Sequence, residues 1–204
     1  MNNYKFLTVT ACSFLYYFNN KSFSLNNYLS CDVMKTAKKG ICILQPDGSS
    51  TTKGLVMLTQ ISSNKPVQIH GNFSNLSPGK KHGFHIHQYG NLTKGCSTAG
   101  PHFNPFNKSH GGPDDSERHV GDLGNISADN NGNAQFILID NIISLYGMNS
   151  VIGRSLVVHK DEDDLGKGNY EDSKTTGHSG ARVACGIIGL AQFEETDMKN
   201  YLSL

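Results

Sequence analysis

Six histidines (His85, His87, His102, His110, His119 and His159) and the carboxylate of Asp122 fall in four short motifs whose spacing suits metal ligation. His85 and His87 form a His-x-His pair. On a strand, side chains alternate with period two, so both imidazoles share one face and can grip a single ion. Imidazole serves copper and zinc alike. Between positions 102 and 122 the chain adds His102, His110, His119 and Asp122, the mixture of neutral and anionic donors that a closed tetrahedral zinc site uses. A lone histidine is more often a core or surface residue than a ligand, but six at this spacing point to a two-metal site.

Such donors need strands to hold them. The chain has 22 glycines and no tryptophan, and its short apolar stretches are separated by Gly, Asn, Asp, Pro and Ser, which is the texture of many short strands joined by turns. Strands are expected over 39–44, 54–60, 67–73, 81–87, 133–139, 155–159 and 182–191, with a further short one within 119–127. Seven or eight strands imply an all-β antiparallel sandwich or flattened barrel. The stretches 89–118 and 160–181 are too long for turns, and long ordered loops in a compact domain are usually functional. The first carries zinc-type donors and the second the acidic run 161–164.

At 204 residues the chain has room for one domain and two tails. The expected division is an N-terminal extension, 1–33, a domain over 34–192 and a C-terminal tail, 193–204. The formal charge is +1, and the first 33 residues carry Lys5, Lys21 and Asp32, so the remainder is balanced and no nucleic-acid partner is implied. The apolar run 6–18 has the length of a signal-peptide core and is too short for a membrane span. It is diluted by Thr, Ser, Cys and Tyr, an Asn-rich stretch follows it, and no clear small-x-small cleavage site is present. A cytosolic placement is therefore expected, with secretion as the alternative. Asn72, Asn91, Asn107 and Asn125 head acceptor sequons, which chance supplies in a chain this rich in Asn.

The motifs at 83–90, 95–105, 110–124, 153–159 and 180–186 resemble those of copper-zinc superoxide dismutases, and the resemblance runs from 37 to 192. It implies an eight-stranded Greek-key flattened barrel of immunoglobulin-like type, for which this family is itself a standard example. It also implies a copper ion held by His85, His87, His102 and His159 and a zinc ion held by His102, His110, His119 and Asp122, with His102 shared. The implied reaction converts two superoxide radicals to oxygen and hydrogen peroxide by alternating reduction and reoxidation of copper, with His102 carrying a proton. Arg182 would hold the superoxide anion. Asp163 would accept hydrogen bonds from one histidine of each metal, the kind of partner that sets tautomer and basicity.

By the same resemblance Cys96 and Cys185 form an intrachain disulfide, and His82 is structural. Read alone a disulfide argues for secretion, but cytosolic members of the family keep this bond. Cys42 reads as a buried thiol, Cys12 and Cys31 belong to the extension, and His70 and His178 read as solvent or loop histidines. A homodimer is implied, through Gly90, Ile152, Gly153, Ile187 and Leu190, as is metal loading by a copper chaperone. Two departures stand out. Lys174 comes one position early, with Thr175 where a lysine can sit and Thr176 in its usual place, and Gln88 stands where a glutamate is common. The shifted lysine bears on steering of the anion, for which superoxide dismutase is a standard case, whereas Gln88 is expected to change packing more than chemistry.

Two other classes fit less well. A copper-transfer relative would show an added domain with Cys-x-x-Cys and a Cys-x-Cys tail, and neither motif occurs in the sequence. A zinc-stabilised binding module without activity would show a broken copper set or lack Arg182.

Overall fold

The computed structural model describes residues 33–203. The apolar run 6–18, Cys12 and Cys31 lie outside the described residues. Ten strands appear in the order β1 (Lys38–Pro46), β2 (Lys53–Gln60), β3 (Val67–Ser74), β4 (Lys81–His87), β5 (Thr93–Cys96), β6 (Asp122–Ser127), β7 (Ala134–Asp140), β8 (Ser155–His159), β9 (Arg182–Ile187) and β10 (Gly189–Ala191). The neighbours run β6-β4-β8-β9-β1-β2-β3-β7, all antiparallel, which gives a nearly closed eight-stranded barrel. The expected all-β Greek-key barrel is thus the observed fold.

The strands divide in character according to what covers them. On β7 exposed and covered residues alternate, as they do where one face meets water. On β4 and β8 nearly every residue is buried. Phe84, Ile86, Leu156 and Val158 enter the core with Phe73, Leu58 and Ile69. The alternate residues His85, His87, Val157 and His159 therefore face outward, beneath the loops 88–121 and 160–181. Period two thus turns one strand into both a core wall and a ligand platform.

The differences from the sequence reading are local. The C-terminal strand breaks at Ile188, which is fully buried: β9 pairs with β8 and with β1 at 45–46, while β10 pairs with β1 at 39–41. The first long loop contains β5 and a short 3-10 turn, Ser97–Ala99. The C-terminal tail forms a helix, Glu195–Leu202, capped reciprocally by Glu194 and Asp197. It crosses the outer faces of β1 and β3. Lys39 Nζ meets Asp197 at 2.7 Å, Gln68 Nε2 donates to the Tyr201 carbonyl at 2.7 Å, and the Tyr201 hydroxyl donates to the Pro66 carbonyl at 2.8 Å. Met198 is buried, and Thr59 and Gln68, on the otherwise wet face, are buried too. His70 lies next to this end on β3, half-buried, and is a strand residue with no ligand role.

Candidate metal centre

The ligand platform is built where ladders are irregular. Register shifts fall between Gly83 and His85 on the β4–β6 pair and between Val158 and His159 on the β8–β9 pair, and such bulges re-aim side chains beside active sites. The loop bearing His102 lies directly on β4. Ile86 N donates to Gly121 O at 2.9 Å and Phe103 N to Ile86 O at 2.8 Å. Gly121 permits this approach, because a Cβ there would lie 2.1 Å from the Ile86 oxygen.

His85, His87, His102 and His159 converge on one point, and His102, His110, His119 and Asp122 on a second. Within each set the donor atoms lie within 4.8 Å of one another, and every one of these residues is buried. Hydrogen bonds fix which nitrogen of each ring is free. His87 Nδ1 donates to Gly100 O at 2.8 Å and His159 Nδ1 to Gly180 O at 3.0 Å, so their Nε2 lone pairs face each other 3.4 Å apart. His85 and His110 direct Nε2 at the two oxygens of Asp163, at 2.7 and 2.8 Å, which leaves Nδ1 as the donor on both rings. His102 Nδ1 and His119 Nδ1 approach Asp122 Oδ1 at 2.8 and 3.1 Å.

Three buried ring nitrogens of these sets have no hydrogen-bond partner: His85 Nδ1, His102 Nε2 and His110 Nδ1. His110 Nδ1 is 3.1 Å from Asp122 Oδ2 but misaligned for a bond, as two ligands aimed at a common ion would be. Unsatisfied buried nitrogens are costly, and here each lies in a converging donor set. The residues therefore fit two metal ions: an all-imidazole set suited to copper and a His3Asp set suited to zinc.

The electrostatics agree. Burial, then His102 and His159, hold His85 and His87 well below the usual imidazole range. Burial likewise pushes His159 down to about 3. These rings are neutral, the form that ligates. Burial also opposes charge on His110, yet Asp122 and Asp163 together hold it up to about 9, so this corner favours a cation. Burial opposes ionisation of Asp122, but His102, His110 and His119 keep its carboxyl far below the ordinary carboxylate range.

The surrounding residues are placed by backbone groups that sequence reading did not single out. Cys96 and Cys185 are joined, 89 residues apart, with Cα atoms 5.7 Å apart. The cross-link packs with Ala99 and Val157, and its loop-entropy contribution is on the order of 4 kcal/mol. It fixes the loop whose carbonyls hold Arg182: Nη1 donates to Cys96 O and Nη2 to Gly100 O, both at 2.6 Å. Gly100 O thus serves both Arg182 and His87. Asn125 grips the Asp163 backbone reciprocally, donating to its carbonyl at 2.9 Å and accepting its amide at 2.8 Å. Its sequon pattern gave no hint of that role. His82 donates Nδ1–H to His159 O at 2.8 Å and is structural, as expected. Glu162 is exposed and pairs with Lys81, and Cys42 is buried with its thiol pushed up to about 12 by burial.

Fold and site together define a Greek-key barrel that carries paired metal sites linked by a histidine. The model of the copper/zinc superoxide dismutase (SODC) family matches residues 52–188, and the chain belongs to that family. It is 54% identical over 153 residues to a superoxide dismutase [Cu-Zn] of Cryptococcus neoformans var. grubii, covering 75% of this chain and 98% of the relative. It is 55% identical over 145 residues to the superoxide dismutase [Cu-Zn] of Candida albicans, covering 71% and 94%. Superoxide dismutase [Cu-Zn] 5 of Dictyostelium discoideum is 51% identical over 152 residues, covering 74% and 97%.

Proposed function

We infer that the chain is a superoxide dismutase that binds copper through His85, His87, His102 and His159 and zinc through His102, His110, His119 and Asp122. The observation that carries this is the pair of converging donor sets sharing His102, with unpartnered nitrogens in both. Copper, when bound, supplies reversible one-electron chemistry, and zinc supplies charge and fixed geometry. The protein residues do the rest. Two carbonyls orient Arg182, whose remaining N–H groups are available to a small anion. His102 Nε2, with Nδ1 held by Asp122, is where a proton can be taken up and delivered. Asp163 locks the tautomers of His85 and His110. The test is metal analysis of the full chain with superoxide consumption measured before and after copper loading. About one copper and one zinc per chain, with activity appearing only with copper, is the expected result. Zinc uptake without activity after copper loading would overturn the copper assignment.

The barrel and its loops, 34–192, form the catalytic domain in this reading. Ile187 and Leu190 are 45% and 65% exposed, beside Ile43 at 60%, which supports a homodimer through Gly90, Ile152, Gly153, Ile187 and Leu190. Loading by a copper chaperone belongs to the same proposal. So does a cytosolic placement, which rests on the diluted apolar character of 6–18. Among the described residues no helix is long and apolar enough to cross a membrane.

The early lysine has a consequence for rate. Asp115, held below the usual carboxylate range by the Gly112 amide and by Lys167, also feels Lys174, so the Lys174 charge acts on the loop bearing the zinc donors. Thr175 is exposed. Thr175→Lys is expected to raise kcat/KM for superoxide by about twofold at low ionic strength, a gain that fades in high salt. Stopped-flow rates across a salt series check it; a gain independent of salt would contradict the steering account.

A further inference from the structure

The segment 170–178 closes the metal centre on the zinc side. The Lys174 carbonyl accepts the His110 amide at 2.9 Å, and Asp164 N donates to Gly177 O at 2.8 Å. Gly177, at φ +66°, passes so close that a Cβ would lie 1.9 Å from Asp163 Oδ1 and 2.5 Å from His110 Nε2. Only glycine lets the backbone cover the Asp163 carboxylate in this way. The covering turn, Ser173–Thr176, is a helix of four residues, far below the length at which intrahelical bonds sustain a helix.

Its two ends are joined from outside. His178, immediately after Gly177, adopts φ +51°, a left-handed conformation uncommon in non-glycine residues, although histidine enters it more readily than most. Its ring lies flat on Tyr170, with centroids 3.6 Å apart and planes 6° from parallel. Its Nδ1 lies 2.7 Å from Asp172 Oδ1. Tyr170 is 59% exposed and His178 is also exposed, so this is not core packing. None of the three residues belongs to either donor set.

We propose that Tyr170, His178 and Asp172 form a positioning clasp that pins Gly177 over Asp163 and thereby slows release of zinc from the centre. The inference rests on the zinc reading of His110 and adds to it residues that touch neither metal nor substrate. Breaking the clasp frees the turn, uncovers Asp163 and loosens its hold on His110.

Two variants of the full chain test this. Tyr170→Ala removes the stack while leaving the His178–Asp172 contact. His178→Gly removes the ring while keeping the left-handed backbone accessible. Zinc-loaded protein is mixed with excess chromogenic chelator, and amide exchange is followed in the metal-free protein. Both variants are expected to release zinc about tenfold faster, within the range by which outer partners tune metal sites. Protection should fall across 170–178 but not in the barrel strands, and Tyr170→Phe, which keeps the stack, should behave as the unaltered chain. Unchanged release and exchange in both variants would refute the clasp, and faster exchange with unchanged release would refute its link to the metal. If the unaltered chain takes up no zinc, the zinc reading itself fails, while the exchange data still judge the clasp.

Discussion

Replacing His159 by Ala is expected to lower superoxide consumption by more than the roughly 100-fold that loss of an outer-shell partner costs a metal site. His159 Nε2 faces His87 Nε2 at 3.4 Å, with both Nδ1 atoms committed to backbone carbonyls, so neither ring can turn to compensate. Zinc content should not change, because His159 is not a zinc donor, and His102, the one residue the two sets share, is held on the zinc side by Asp122 through its Nδ1. The fold should persist as well: the bond from His82 goes to the His159 carbonyl, which any residue supplies. Metal analysis and activity on the same preparation make the check. Full activity in the variant would remove His159 from the copper set, and joint loss of both metals would mean that the two sites do not separate as argued.

Part of that site was legible in the chain through short-range rules, as the His-x-His pair and the donors between 102 and 122, whereas the place of His159 and the sharing of His102 came only with the family resemblance. His85 and His87 share a face through period two, and the neighbouring Phe84 and Ile86 mark the opposite face as core. The barrel was legible for the same reason, since its strands are short apolar runs between turn residues. What could not be read were features fixed by tertiary contact. The break at Ile188 depends on two separate pairings with β1, by β9 at 45–46 and by β10 at 39–41. The helix Glu195–Leu202 carries a capping box in its sequence, but its place depends on Lys39, Pro66 and Gln68, all far away in the chain. Asn125 looks like any asparagine of a sequon until Asp163 is seen against it. His178 has no motif around it, and its contacts with Tyr170 and Asp172 are what separate it from an ordinary loop histidine.

Asp163→Asn is expected to weaken copper binding by about 10–100-fold and zinc binding much less. The asymmetry follows from unequal demand on the two carboxylate oxygens. Oδ1 accepts from His110 Nε2 at 2.8 Å and from Leu165 N at 2.7 Å, whereas Oδ2 accepts only from His85 Nε2, at 2.7 Å. An asparagine of the same shape has one acceptor and one donor group. Its oxygen settles where two donors converge, beside His110 and Leu165, and its NH2 group then faces His85. His85 must move its proton from Nε2 to Nδ1 to avoid opposing donors, and Nδ1 is the atom that points into the copper set. His110 keeps its tautomer and its place among the zinc donors. Competition titrations with each metal separately measure the two losses. Equal losses would show that the negative charge of Asp163 matters more than its hydrogen-bond geometry, and a larger loss for zinc would reverse the assignment of its two oxygens.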